Sequence, residues 1–280
     1  MLWQLPFAIY SRMELFIKIR EKVSKRTLYL ITSLLLGLGL YGISPFLQNL
    51  RVLLPTAVIL GALAWGASWW LFRDLTKTVL PTGLFFGGLL VLTFFPHFSN
   101  FFRLLFVMIW AGSFDSCLLS ENVFLVAQER GVAIPLVRPA QTFSLLLTLL
   151  TTFLLLTGIY KAPLNFFLQA LLSFIVVFFL AWQNLVGQWL TFESGLLGNQ
   201  AVRRKAAMAA LGAALVVAEL ALGLSFWPQK SFFRALALTT AFYVILGTYL
   251  HLVNHTLNRR IIGEYLSVAA AAYLLVSIVD

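Results

Sequence analysis

The residues with chemical potential in this chain are few, and they sit where charge is expensive. The stretch from Asn100 to Arg130 reads NFFRLLFVMIWAGSFDSCLLSENVFLVAQER, an apolar run long enough to cross a bilayer that nonetheless holds Asp115, Glu121 and Asn122. A carboxylate at membrane depth is costly unless it faces protein, water or a counter-charge, so such groups are candidates to bind a proton or a cation. Asn184 and Gln188 lie four apart in AWQNLVGQWL and share one helix face. His251 and His255, in GTYLHLVNHTLNRR, are one turn apart, the spacing of two metal ligands or of an acid–base pair. No glutamate completes an HExxH arrangement beside them, so neither a metal nor another cofactor is expected. Glu264 follows Arg260 by one turn.

Composition fixes the setting for these groups. Of 280 residues, 61% are hydrophobic and 11% charged, less than half the charge of a soluble domain. Apolar runs near twenty residues recur along the chain, and the short alternating segments of a transmembrane barrel are absent. The expected fold is therefore all-α and polytopic. Nine spans are expected, at about Thr27–Ile43, Val52–Phe72, Val79–Phe95, Leu104–Ala127, Ala140–Tyr160, Leu164–Leu190, Ala206–Phe226, Phe232–Val253 and Ile261–Val279. An eight-span arrangement, with the last segment in the interface, is the alternative.

The net charge of +10 does not call for nucleic acid, because the basic residues fall in short loops between apolar spans. With the N-terminus inside, fifteen of the twenty basic residues share one side, leaving Arg51, Arg103, Lys161, Lys230 and Arg234 for the other. That bias sets the N-terminus in the cytoplasm and the C-terminus outside. In residues 1–26, charged and apolar positions alternate at helical spacing, as in a helix lying on anionic lipid headgroups; residues 27–280 form one transmembrane domain. No cleavable leader is expected, since Pro45 follows directly on the small residues after the first apolar run. Cys117 is the single cysteine, so an internal disulfide is excluded.

Depth then groups the polar residues. Glu121 lies nine residues from Arg130, about 13 Å in from that anchor, and Asp115 is near the midplane, about 22 Å in. Asp115 and Asn122 are seven apart and share a face that Glu121 does not. His251 lies eight residues from Arg259, about 12 Å deep. One cytoplasm-facing polar pocket is thus expected from Asp115, Glu121, Asn122, Asn184, Gln188, His251, His255 and Glu264. Span 7 carries Ala206, Ala210, Ala214 and Ala218 at spacings of four, with Gly212 beside them, which marks a packed interior helix or a homo-oligomer contact. Spans 5 and 6, dense in Leu and Phe, are the expected lipid-facing ones.

In length and span number the chain resembles membrane prenyltransferases and phosphatidate cytidylyltransferases. The paired aspartate-rich motifs of the first and the Lys-Asp and His-Gly signature of the second are missing. Three functions fit what remains. A transporter or channel-like protein with a polar cavity is favoured, ahead of an enzyme of lipid-linked substrates and of a non-catalytic scaffold. The expected location is a bacterial inner membrane.

Overall fold

The computed structural model describes residues 24–46, 50–95, 99–130, 136–193, 199–226, 230–253 and 257–278. The interfacial helix expected over residues 1–26 lies almost wholly outside them, as does His255. Among the described residues there are nine long helices and no strand: α1 Lys25–Ile43, α2 Leu50–Phe72, α3 Val79–Phe94, α4 Asn100–Arg130, α5 Val137–Lys161, α6 Phe166–Glu193, α7 Asn199–Ser225, α8 Ser231–Val253 and α9 Arg259–Ile278. The first eight are long and apolar enough to cross a membrane. The last has 20 residues, about 30 Å at helical rise, which suffices for a ninth span.

Three helices start well before the apolar runs suggest: α4 at Asn100, α5 at Val137 and α7 at Asn199. At 31 residues, about 46 Å, α4 outruns the roughly 30 Å hydrocarbon core, so its ends project or the helix tilts. Pro139 does not delay α5, because in a first turn the missing N–H has no intrahelical acceptor to lose. Between α2 and α3 the chain turns on Arg73, whose φ of 52° is the left-handed conformation that lets a helix stop sharply. A 3₁₀ turn, Leu75–Thr78, then leads into α3.

The bundle is organised around α5. On one side, Leu147 and Leu154 join a core built from α1 to α4, centred on Leu84, Phe85 and Leu118. On the other, Leu156 and Tyr160 join a second core made with α6, α7 and α8. Phe153 touches both. The position of α5 therefore differs from the expected lipid-facing one: it is enclosed because α3, α4, α6 and α8 all pack on it. The surface hydrocarbon is supplied by α6, as expected, with Phe167 and Leu171 exposed, and by α2, with Leu54, Val58 and Leu63 exposed.

Small residues decide the closest contact. Ala206, Ala210 and Ala214 of the expected stripe, with Ala221 further along α7, are fully buried in one core with Ala181, Leu185 and Val186 of α6, while Ala218 is half-buried. Methyl-sized side chains let two backbones approach, and here the face is filled by a neighbour in the same chain rather than left for a second copy. Several hydroxyls inside the spans are satisfied locally: Thr148 donates to the Ser144 carbonyl at 2.8 Å and Thr152 to the Thr148 carbonyl at 2.7 Å.

Candidate functional site

The cytoplasmic half of the bundle, by the charge bias of its loops, holds a connected set of buried polar groups centred on Glu121. Its carboxylate oxygen Oε1 accepts from Gln183 Nε2 of α6 at 2.8 Å. Gln183 in turn accepts, through Oε1, from the backbone N–H of Leu80 at the start of α3. That amide belongs to the first turn of a helix and has no intrahelical acceptor, so the glutamine both caps α3 and holds the carboxylate. Lys77, in the 3₁₀ turn, sends its ammonium to the Glu121 backbone carbonyl at 3.4 Å. Glu121 and Lys77 are each 3% exposed and Gln183 4%, so the group is sealed among α3, α4 and α6. Lys77 and Asp74 are the charges that act on Glu121.

Asp74 extends the set to the surface. Its Oδ1 accepts from the Thr76 N–H at 3.1 Å and from the Thr76 hydroxyl at 2.9 Å, which fixes the turn. Arg203 of α7 grips both carboxylate oxygens, at 3.2 and 2.6 Å. Such two-point pairing is the strong form of a guanidinium–carboxylate contact. Partial burial alone would raise the Asp74 carboxyl, but the Arg203 and Thr76 bonds outweigh it and hold the group below its ordinary range.

A second seam runs along α5 and α6. Gln188 Nε2 donates to Asn184 Oδ1 at 2.8 Å, and Asn184 Nδ2 donates to the Thr148 hydroxyl at 3.3 Å. Nearby on α5, Thr151 Oγ1 and Gln141 Nε2 are buried without a hydrogen-bond partner among the described residues. Buried polar atoms in that state are served in proteins by internal water.

The residues singled out by sequence thus separate. Glu121 meets α6, whereas Asn122, its neighbour about 100° round the helix, turns to α1 and accepts from the Tyr29 hydroxyl at 3.0 Å. Asp115, on the Asn122 side, is half-buried, and its Oδ1 has no hydrogen-bond partner among the described residues. Asn184 and Gln188 come together as their spacing implies. His251 goes elsewhere: its ring lies 6.0 Å from that of Tyr265 on α9, which also meets Tyr243 at 5.3 Å. Gly247, between the two on the same stripe, leaves the space that Tyr265 occupies. The stripe Tyr243, Gly247 and His251 is therefore the seat of α9. Glu264 is exposed and pairs with Arg260 one turn away, at 3.3 Å.

Asp74, Lys77, Gln183 and Arg203 are the members that spacing rules do not reach. Lys77 and Asp74 read as an ordinary charged turn, and Gln183 is hidden beside the more regular Asn184–Gln188 pair.

A bundle of membrane-crossing helices whose ionisable groups converge at one end defines a polytopic, multi-pass membrane protein with a buried charged network. The chain belongs to a family described as "Protein of unknown function (DUF5656)", which matches residues 73–279. Every member of the Asp74–Lys77–Glu121–Gln183–Arg203 network falls within that match, while Tyr29 precedes it. No curated protein and no solved structure matches the chain.

Proposed function

We propose that the protein is a transporter or channel-like protein of a bacterial inner membrane that carries a proton or small cation, with Glu121 as its exchanging group. The observation that supports this is the burial of Glu121: a carboxylate 3% exposed, inside a span, held by one neutral donor and beside a buried lysine. Keeping such a group in apolar surroundings is unfavourable, and it is retained most often where ions pass. The pocket expected from the sequence contracts in this reading to Glu121, joined by Gln183 and Lys77, while Asn184 and Gln188 form their own seam with Thr148. The test is purified protein in liposomes, with a pH-sensitive dye inside and imposed proton, sodium or potassium gradients. Wild type is expected to dissipate one of these gradients, and Glu121→Gln to fall to the level of empty liposomes. A wild-type flux that Glu121→Gln leaves unchanged refutes the assignment.

The scaffold reading has one observation in its favour, the closed Gln188–Asn184–Thr148 chain, since interhelical bonds of that kind serve packing alone in many bundles. Absence of flux for every gradient, with the protein folded, selects it.

A further inference from the structure

At the end of the bundle opposite the basic loops, α7, α8 and α9 do not close on one another. They leave a crevice of about 260 Å³, just under the roughly 300–1,000 Å³ usual for small-molecule sites. The space exists because its walls are short: Ala237 and Ala241 of α8 and Ala269 and Ala272 of α9 stand where larger side chains would fill it. Leu220 and Leu224 of α7 supply the third wall. The one hydroxyl that α8 presents to the crevice, Thr240, already donates to the Leu236 carbonyl at 2.9 Å, so it asks nothing of an occupant. Apart from Thr240, Arg234 and Tyr273, the lining is apolar.

The mouth is different. Arg234 lines the crevice at the first turn of α8, and Lys230 stands one turn before it, exposed. The Arg234 N–H bonds the Lys230 carbonyl at 3.2 Å, so the two cations lie on one side of the helix start. From Phe233 to Ala241 the lined part of α8 is about 12 Å long, close to the roughly 15 Å hydrocarbon depth of one leaflet. Glu219, next to Leu220, is exposed and is not among the lining residues.

An apolar slot one leaflet deep, headed by two cations at the level of the headgroups, has the shape and charge of a lipid. We propose that this crevice is a binding site for an anionic phospholipid of the leaflet facing away from the basic loops. One acyl chain lies between α8 and α9, and the phosphate sits at Arg234 and Lys230. The site is separate from the Glu121 network and does not depend on the transport reading.

Native mass spectrometry of the purified chain in detergent tests it, with dioleoylphosphatidylglycerol, dioleoylphosphatidylcholine and oleate titrated in parallel. The expected result is one phosphatidylglycerol retained more tightly than phosphatidylcholine. Arg234→Gln should weaken that lipid about fivefold, the factor one basic residue confers near an anionic surface. Ala237→Trp should expel it by filling the slot, with Leu63→Trp on the exposed face of α2 as a control that keeps binding. Equal affinity for the two phospholipids, unaffected by either substitution, means ordinary annular lipid and overturns the proposal. Tighter binding of oleate than of phosphatidylglycerol overturns it in favour of a free fatty acid. Should Ala237→Trp fail to fold, the Arg234→Gln response decides alone.

Discussion

Replacing Gln183 with leucine separates the two things this side chain does. Gln183→Leu removes two interhelical bonds, one to the Leu80 N–H and one to Glu121, while keeping an apolar side chain of similar length in the same 4%-exposed site. Were only bond energies at stake, the loss would be small, since hydrogen bonds between membrane helices average about 0.6 kcal/mol and reach about 1.7. Two would give roughly 1–3 kcal/mol. The carboxylate changes the sum. Leaving a buried charged acceptor without its donor costs the desolvation of that group, about 3 kcal/mol or more. Gln183→Leu is therefore expected near the upper figure. The double variant Gln183→Leu/Glu121→Leu leaves the Leu80 amide unmatched and takes the carboxylate charge from the buried Lys77, whose ammonium keeps its bond to the backbone carbonyl of residue 121, so it should lose no more than the single variant. Reversible unfolding in mixed micelles measures both. A loss under about 1 kcal/mol for Gln183→Leu, or a double variant less stable than the single one, would refute the idea that Glu121 is a buried group held by Gln183.

Three further outcomes follow from the packing. The Asp74 carboxyl is held below its ordinary 3.8, so the stability it contributes is present above that value and lost as pH falls below it through the folded one; Asp74→Asn should flatten acid unfolding in that window. Gly88→Ala would drive a methyl onto the Trp110 indole, whose N–H bonds the Leu84 carbonyl at 3.1 Å, and thermal unfolding should show a loss of about 1–3 kcal/mol. Tyr29→Phe removes the hydroxyl that bonds Asn122 at 3.0 Å, and the same assay should register a loss of about 1 kcal/mol.

The spans were legible because the bilayer imposes one rule on every one of them: about twenty apolar residues, charges at the ends. That rule separates α1 to α8 without reference to what touches what. It fails at helix ends, where polar residues such as Asn100, Glu129 and Arg130 continue α4 past the apolar run. It is silent on which helix is central, since the leucine-rich α5 reads as lipid-facing until α3, α4, α6 and α8 are seen around it.

The site was half legible, and the half that was missed has a physical reason. Depth along one helix follows from a fixed rise per residue, so the inward position of Glu121 can be counted from Arg130. Azimuth between helices cannot be counted, because it depends on how each helix is rotated about its own axis by packing elsewhere. Glu121 and Asn122 are sequence neighbours and face α6 and α1; Gln183 and Asn184 are neighbours and serve Glu121 and Thr148. A one-residue step thus assigns each side chain to a different partner, and equal depth alone led to His251, which the Tyr265 ring on α9 takes instead. Lys77 shows the converse. Topology accounts for its charge but not for its 3% exposure: a lysine that only marks the cytoplasmic side would extend into water. Its ammonium turns inward to the Glu121 carbonyl, in the same turn that Asp74 and Arg203 clamp from outside. The charged turn between α2 and α3 is therefore a structural part of the Glu121 site, and loosening it at Arg203 should disturb that site from a distance.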